Sequence, residues 1–402
     1  MSAAEPADLS GPDGTTGGLD TIRGRMRTTR QISVGGVTIG GGAPVRVQSM
    51  TLTKTHDVAA TVAQIAALAS AGCEIVRCAV PKTEDALALA KIVKLSPIPV
   101  IADIHFNASL ALKAIDAGVA GVRINPGNIG GDDKVALVVE AAKKAGIPMR
   151  IGANSGSLPK HLDELAQRNQ AEALVEAALE EVRLLEKLNF HNFKISVKSS
   201  NVPTMIHAYR MLADKVDYPL HLGVTEAGPP ATGAIKSAAG MGALLIDGIG
   251  DTIRVSLTAD PVKEIEVAFD ILKALHLRER GPILISCPSC GRDNVGVESL
   301  AIEVETRLKR YPEAFEVAVL GCAVNGPGEA GDADFGIAGG RDVGFVYAHG
   351  RVLKKVDSET LIDELFAEID RWIADGMPRP KRLKMAKSAA LAMAEMSAIP
   401  LD

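Results

Sequence analysis

Cysteines carry the most distinctive spacing in this 402-residue chain. Cys287-Pro-Ser-Cys290 is a C-x2-C pair directly after an apolar run, and Cys322 opens a second loop of the same kind, Gly321-Cys-Ala-Val-Asn-Gly-Pro-Gly-Glu329. Three thiolates on two loops can meet at one metal centre. A structural zinc ribbon would usually repeat the C-x2-C, and a bacterial ferredoxin run would add a fourth cysteine. The chain does neither, so spacing alone leaves zinc and a cubane iron–sulfur cluster equally open. Glu329, seven residues after Cys322 on a Gly-Pro-Gly turn, tips the balance toward iron. An oxygen donor is an exchangeable fourth ligand, and a site with one replaceable ligand can bind substrate. The plain alternative is that Glu329 is an exposed loop acid. Cys73 and Cys78 flank an apolar run and read as buried core thiols.

The second chemical signal is cationic. Arg77, Arg123, Arg150 and Arg254 each sit in a short β-branched run, and Lys198 immediately follows another. Strands of a parallel barrel are covered on both faces, so a guanidinium there is costly unless it reaches a mouth and meets an anion. One such arginine would be a buried ion pair; several point to a polyanion site. Two Gly-rich loops after these runs, Asn125-Pro-Gly-Asn-Ile-Gly-Gly and Ala153-Asn-Ser-Gly-Ser, can turn backbone N–H groups toward phosphate oxygens. Asp103, His105, Asn154, Glu226 and Ser256 fall at the C-terminal ends of the same runs, where barrel active sites lie. Taken singly, each is as readily a cap or a loop hydrogen bond as a catalytic group; their clustering is what marks the set.

The elements that must position these residues follow from pattern. Ile32–Ile39 is two apolar arms around Gly35-Gly36, a hairpin by its turn chemistry. Strands are then expected at 45–48, 75–79, 100–103, 121–125, 149–153, 193–197 and 220–224, with an eighth at either 243–246 or 253–257. Helical patterns fill the gaps: Asp57 opens one that ends at Gly72, Asp132-Asp133 opens another that stops at Gly146, and the longest spans 161–188. Strand alternating with helix eight times predicts a (β/α)8 TIM barrel, and no G-x-G-x-x-G follows any strand to suggest an open dinucleotide-binding sheet. The charged connector near 276–281 marks the start of a smaller α/β domain, read as strand 283–286, helix 297–309, strand 315–320, strands near 343–347 and 351–356, and a helix from 358 to 374. The expected organisation is a disordered lead-in over 1–26, a barrel with its hairpin over 27–278, a cluster domain over 279–375 and a tail over 376–402.

Composition narrows the function classes. A formal net charge of -5 lacks the basic excess of a nucleic-acid surface, and 47% hydrophobic residues with only 3% aromatic ones suit a layered α/β core of Val, Ile, Leu and Ala. No apolar run reaches transmembrane length and the first twenty residues show no secretory signal, so a cytoplasmic enzyme with no membrane partner is expected.

With these motifs on the page, the chain resembles the bacterial 4-hydroxy-3-methylbut-2-enyl diphosphate synthases of the methylerythritol phosphate route to isoprenoids. The resemblance covers roughly residues 27 to 375 and rests on Thr29-Arg-Gln-Ile through Gln48-Ser-Met-Thr, Ala102-Asp-Ile-His-Phe, Val122-Arg-Ile-Asn-Pro-Gly-Asn, Arg150-Ile-Gly-Ala-Asn-Ser-Gly-Ser-Leu, Val224-Thr-Glu-Ala-Gly, Ser286-Cys-Pro-Ser-Cys-Gly-Arg and the Cys322 loop. It implies a [4Fe-4S] cluster held by Cys287, Cys290 and Cys322, with Glu329 as a displaceable fourth ligand. It implies that Arg77, Arg123, Arg150, Asn154, Lys198, Arg254 and Ser256 bind diphosphate, with Lys198 taken in preference to Lys194, and that Asp103, His105 and Glu226 lie near the reacting carbons. Implied too are a cyclic diphosphate substrate, two electrons from flavodoxin or ferredoxin, and a head-to-tail homodimer of two-domain chains.

Two other readings compete. A barrel methyltransferase of the pterin or corrinoid type would leave the Cys287, Cys290, Cys322 and Glu329 set without a task. A zinc-binding or electron-carrier module fused to a non-catalytic barrel would leave the arginines unexplained.

Overall fold

An antiparallel hairpin comes first, β1 (Ile32–Val34) against β2 (Val37–Ile39), turning at Gly35 and Gly36, both with positive φ. The computed structural model describes residues 22–378 apart from 292, 294, 323–332 and 340–342. Its chain divides into two compact units between Arg278 and Glu279.

The first unit is a parallel barrel. Its strands are β3 (Arg46–Met50), β4 (Ile75–Ala79), β5 (Val100–Asp103), β6 (Gly121–Arg123), β7 (Met149–Ile151), β8 (Phe193–Ile195), β9 (His221–Leu222) and β10 (Thr252–Ile253). They form one eight-stranded sheet in the order β8-β7-β6-β5-β4-β3-β10-β9, and a parallel bridge between Ile195 and Leu220 brings the two end strands together. Local chemistry sets the helices between them. The Asp57 carboxylate accepts the Ala60 N–H at the start of helix Val58–Ala71, and Gly72, at φ 105°, ends that helix in a left-handed turn. Helix Asp132–Ala145 ends in the same way at Gly146. The hairpin lies under the barrel. Ile32, Val34 and Ile39 pack against Ile75 and Ile101, and Arg46 Nε donates to the Thr38 carbonyl at 3.0 Å.

Three expectations need correction. The run 243–246 is the end of helix Pro230–Ile246, where Leu244 and Leu245 are buried with Met241 on one face, so the eighth strand is the one near 253. The helical stretch 161–188 is broken at Asn169, whose backbone is extended (φ -152°, ψ 93°) and whose side chain caps Gln170–Lys187 by accepting the Glu172 N–H. Strands β6 to β10 each end before their apolar runs do, because the following residues turn away into the mouth loops; Gly152, next after β7, has φ 140°.

The second unit is a five-stranded mixed sheet: β11 (Ile283–Ser286), β12 (Glu316–Leu320) and β13 (Phe335–Gly339) are parallel, and β14 (Val343–Ala348) and β15 (Arg351–Asp357) continue it antiparallel. Helices Val297–Leu308 and Leu361–Ala374 cover it, and Phe315, Phe335 and Trp372 meet edge to face in its core. Strand β13 was not expected. Among the described residues no helix is long and apolar enough to cross a membrane. The lead-in before residue 22 and the tail beyond 378 lie outside the described residues.

A Cβ on Gly152 would fall on the Ser196 carbonyl, at a φ that L side chains rarely adopt. Gly152→Ala should therefore destabilise the barrel by on the order of 3 kcal/mol, read as a lower denaturant midpoint. An unchanged midpoint would show that β7 and β8 do not approach this closely.

Candidate active site

Register places the charged residues of the barrel on one level. Asp103, Arg123, Arg150 and Lys194 are successive partners across β5, β6, β7 and β8, and Arg77 on β4 pairs with Ile101, two residues before Asp103. All five are at most 6% exposed. The Asp103 carboxylate lies 3.0 Å from Arg123 Nη1 and 3.3 Å from Arg77 Nε. Burial works to raise its pKa, but the two guanidinium groups hold it at about 2. Arg123 Nη1 also stands 2.5 Å from His105 Nε2. A guanidinium can only donate, so Nε2 accepts and the imidazole is neutral. Burial, with the arginines, lowers the His105 pKa in agreement.

The remaining cations are far less well matched. Arg150 donates to the Ser196 hydroxyl, Lys194 Nζ reaches Gln48 Oε1 at 3.2 Å across the barrel, and Lys198 follows β8 in a parallel bridge with Asn154. Buried Nη1 of Arg77 and Nε of Arg150 and Arg254 have no hydrogen-bond partner among the described residues. Against Arg77, Arg123, Arg150, Lys194, Lys198 and Arg254, the carboxylates within ion-pair reach among the described residues are Asp103 and Glu264. Glu181 does not compensate: burial raises it to about 8 even though it accepts the Gly152 N–H at 2.7 Å. Burial and the neighbouring arginines push Lys194 down to about 7 and Lys198 well below its usual range. His221, fully buried with Nδ1 on Thr252 Oγ1 at 2.7 Å, is neutral for the same reasons. Unpaired cationic donors in this number can hold an oxyanion that carries more than one charge.

Of the residues singled out in the sequence, Arg77, Asp103, His105 and Arg123 touch one another, and Asn154 meets Lys198. Arg254 and Ser256 follow β10. Glu226, exposed after β9, has φ 53°, an uncommon left-handed conformation for a residue with a side chain. No hydrogen bond or ion pair joins Glu226 or Ser256 to the arginine group among the described residues. The resemblance set Lys198 ahead of Lys194, and Gln48, His221 and Glu264 were not singled out as site residues. Lys194 carried the same signal as the arginines, a cation inside a buried strand.

Cys287, Cys290 and Cys322 lie in the second unit. Cys287 follows β11, Cys322 follows β12, and these two strands are parallel neighbours, so both loops leave the same edge of the sheet. The Gly321 N–H donates to Cys287 Sγ at 3.2 Å. Gly321 is required there, since a Cβ would meet Asp293 Oδ1 at 2.9 Å and Val297 Cβ at 3.2 Å. Asp293 in turn accepts N–H groups from Val295, Gly296 and Val297, and its own N–H donates to the Cys290 carbonyl at 2.9 Å. The Cys287–Cys290 loop is thus held by backbone contacts, with the Gly321 N–H as a donor to its sulfur, as thiolate ligation of a metal centre needs. Cys73 and Cys78 are buried in the barrel core, where burial raises their thiols to about 12 and about 11. Glu329 lies outside the described residues.

The two-unit layout has a counterpart in known proteins. A profile of the GcpE TIM-barrel domain matches residues 29–269, and one of the GcpE protein C-terminal domain matches residues 283–371. The chain belongs to the GcpE family. A GcpE relative from Geobacter sulfurreducens, named 4-hydroxy-3-methylbut-2-en-1-yl diphosphate synthase (flavodoxin), is 55% identical over 347 residues, 86% of this chain and 98% of its own length. A relative of the same name from Maridesulfovibrio salexigens is 54% identical over 350 residues, 87% of this chain and 98% of its own length. These matches span the barrel and the smaller domain alike, and they leave the methyltransferase and zinc-module readings without support.

The lowered pKa values of Lys194 and Lys198 would couple any anion binding in the GcpE barrel to protonation. An anion raises their pKa values, so the bound state holds more protons than the free state above about pH 7. Sulfate, which has no group titrating near neutrality, should bind with net proton uptake at pH 8 and more weakly as pH rises. Calorimetry in two buffers of different ionisation heat reads this, and zero uptake would place the anion site elsewhere.

Proposed function

We propose that this chain reductively opens 2-C-methyl-D-erythritol 2,4-cyclodiphosphate to (E)-4-hydroxy-3-methylbut-2-enyl diphosphate, in non-mevalonate isoprenoid precursor synthesis. The observation that carries this reading is the excess of buried cationic donors at the barrel mouth, on a chain whose second unit presents Cys287 and Cys322 from neighbouring strands. Two electrons and two protons convert the cyclic diphosphate to the open allylic diphosphate and one water, so the enzyme is an oxidoreductase that must deliver both. A [4Fe-4S] cluster on Cys287, Cys290 and Cys322, with Glu329 as fourth ligand, supplies the electrons singly when bound. The relatives' names specify flavodoxin as donor, and flavodoxin or ferredoxin is the donor proposed here.

The protein's own groups divide the rest of the work. Arg77, Arg123, Arg150, Lys198 and Arg254 hold the two phosphates, with Asn154 and Ser256 hydrogen-bonding at the rim. Asp103 is committed to Arg77 and Arg123, and its part is to keep those forks spread and aimed. His105, neutral and with its N–H on Nδ1, can donate to a leaving oxygen without adding charge. Glu226 and Glu329 are the carboxyl groups proposed to handle protons. Two chains arranged head to tail are proposed to form the working dimer, each cluster unit serving its partner's barrel.

Replacing Cys287, Cys290 or Cys322 by Ser should abolish iron binding and turnover, whereas Cys73→Ser and Cys78→Ser keep both; iron and sulfide analysis reads the difference. Glu329→Gln should retain iron but alter the paramagnetic resonance spectrum and lower turnover strongly. Wild-type spectra and rate would return Glu329 to the status of a loop acid. Mixing inactive Arg150→Ala and Cys322→Ser chains should restore activity to about a quarter of wild type, since random pairing gives half heterodimers with one intact composite site each. No recovery after verified exchange would show that each chain uses its own cluster unit.

A further inference from the structure

Glu264 lies one turn inside helix Pro261–Ala274 and is 3% exposed. Its two oxygens reach three places. Oε2 accepts the Ser49 hydroxyl of β3 at 2.9 Å; Oε1 accepts the Leu257 N–H at 3.0 Å and stands 3.8 Å from Arg254 Nη2. Arg254 and Leu257 are the two ends of the short segment after β10 that also carries Ser256. One buried carboxylate therefore fastens that segment at both ends, through a side chain and through a backbone N–H.

The manner of the Arg254 contact matters. Asp103 hydrogen-bonds Arg123 at 3.0 Å and so occupies one of its N–H groups. Glu264 sits beyond hydrogen-bond reach of Arg254, near enough to hold the guanidinium by charge while its donors stay uncommitted, and Arg254 Nε has no partner among the described residues. A neutral glutamine could keep both contacts, its Oε1 accepting the Leu257 N–H and its Nε2 donating to a Ser49 hydroxyl turned round to accept. What the negative charge adds, in an interior that disfavours it, is a field at Arg254.

We infer that Glu264 is a positioning residue for substrate capture, holding Arg254 and the Ser256 segment aimed at a phosphate of the substrate; the inference rests on the diphosphate reading given above. It acts in binding and leaves the chemical step alone.

The test is a double-mutant cycle on the anaerobic holoenzyme, with the cyclodiphosphate as substrate. Glu264→Gln should raise KM about tenfold with kcat within about threefold of wild type, at unchanged iron content and Tm. In an Arg254→Ala background the same substitution should change KM by less than about twofold. Equal factors in both backgrounds, or a fall in kcat at constant KM, would overturn the positioning role alone. If the Gln chain does not fold, Glu264→Asp carries the same cycle, with a smaller rise in KM that again vanishes beside Arg254→Ala. Wild-type KM in Arg254→Ala itself would bring down the diphosphate site, and this role with it.

Discussion

The barrel interior holds more positive charge than it holds means to neutralise it, and the rest of the first unit is arranged around that imbalance. Buried guanidinium groups are tolerated where a carboxylate is shared between them, as Asp103 is between Arg77 and Arg123. Where no carboxylate is at hand, neutral acceptors serve: Ser196 for Arg150 and Gln48 for Lys194. Lysine gives up its proton more readily than arginine, so repulsion is relieved first at Lys194 and Lys198. Unpaired buried charge costs stability, and the surrounding shell of Val, Ile, Leu and Ala offsets it.

Much of this was legible in the sequence because charge inside a buried strand contradicts the pattern around it. Arg77, Arg123, Arg150 and Arg254 stood out for that reason, and the barrel was legible from β-branched runs alternating with capped helices. Glu264 was hidden because an acid near a helix start is ordinary, and only tertiary packing turns it inward. Ala243 to Ile246 could be strand or helix on composition; the continuing helical face decided it. Strand β13 reads Phe-Gly-Ile-Ala-Gly, and its glycines conceal it, yet Gly339 must lack a side chain because Val295 packs where a Cβ would stand.

In the second unit the cysteine spacing was legible before the architecture. A C-x2-C and a lone cysteine say little until strands β11 and β12 are seen to be parallel neighbours, which brings loops more than thirty residues apart to the same edge. The Gly321 N–H on Cys287 is the smallest sign of that convergence, and it depends on a glycine that could carry no side chain.

The hairpin that opens the chain has its own effect on solvent. Its apolar residues cap the N-terminal ends of β4 and β5, and its Thr38 carbonyl is tied to Arg46 at the foot of β3. The barrel is sealed from below on that side, and its interior is filled by Lys194, Gln48 and His221. The hairpin thereby keeps water from the feet of β4 and β5, where Ile75 and Ile101 are at most 2% exposed, so solvent meets the buried charges from other sides.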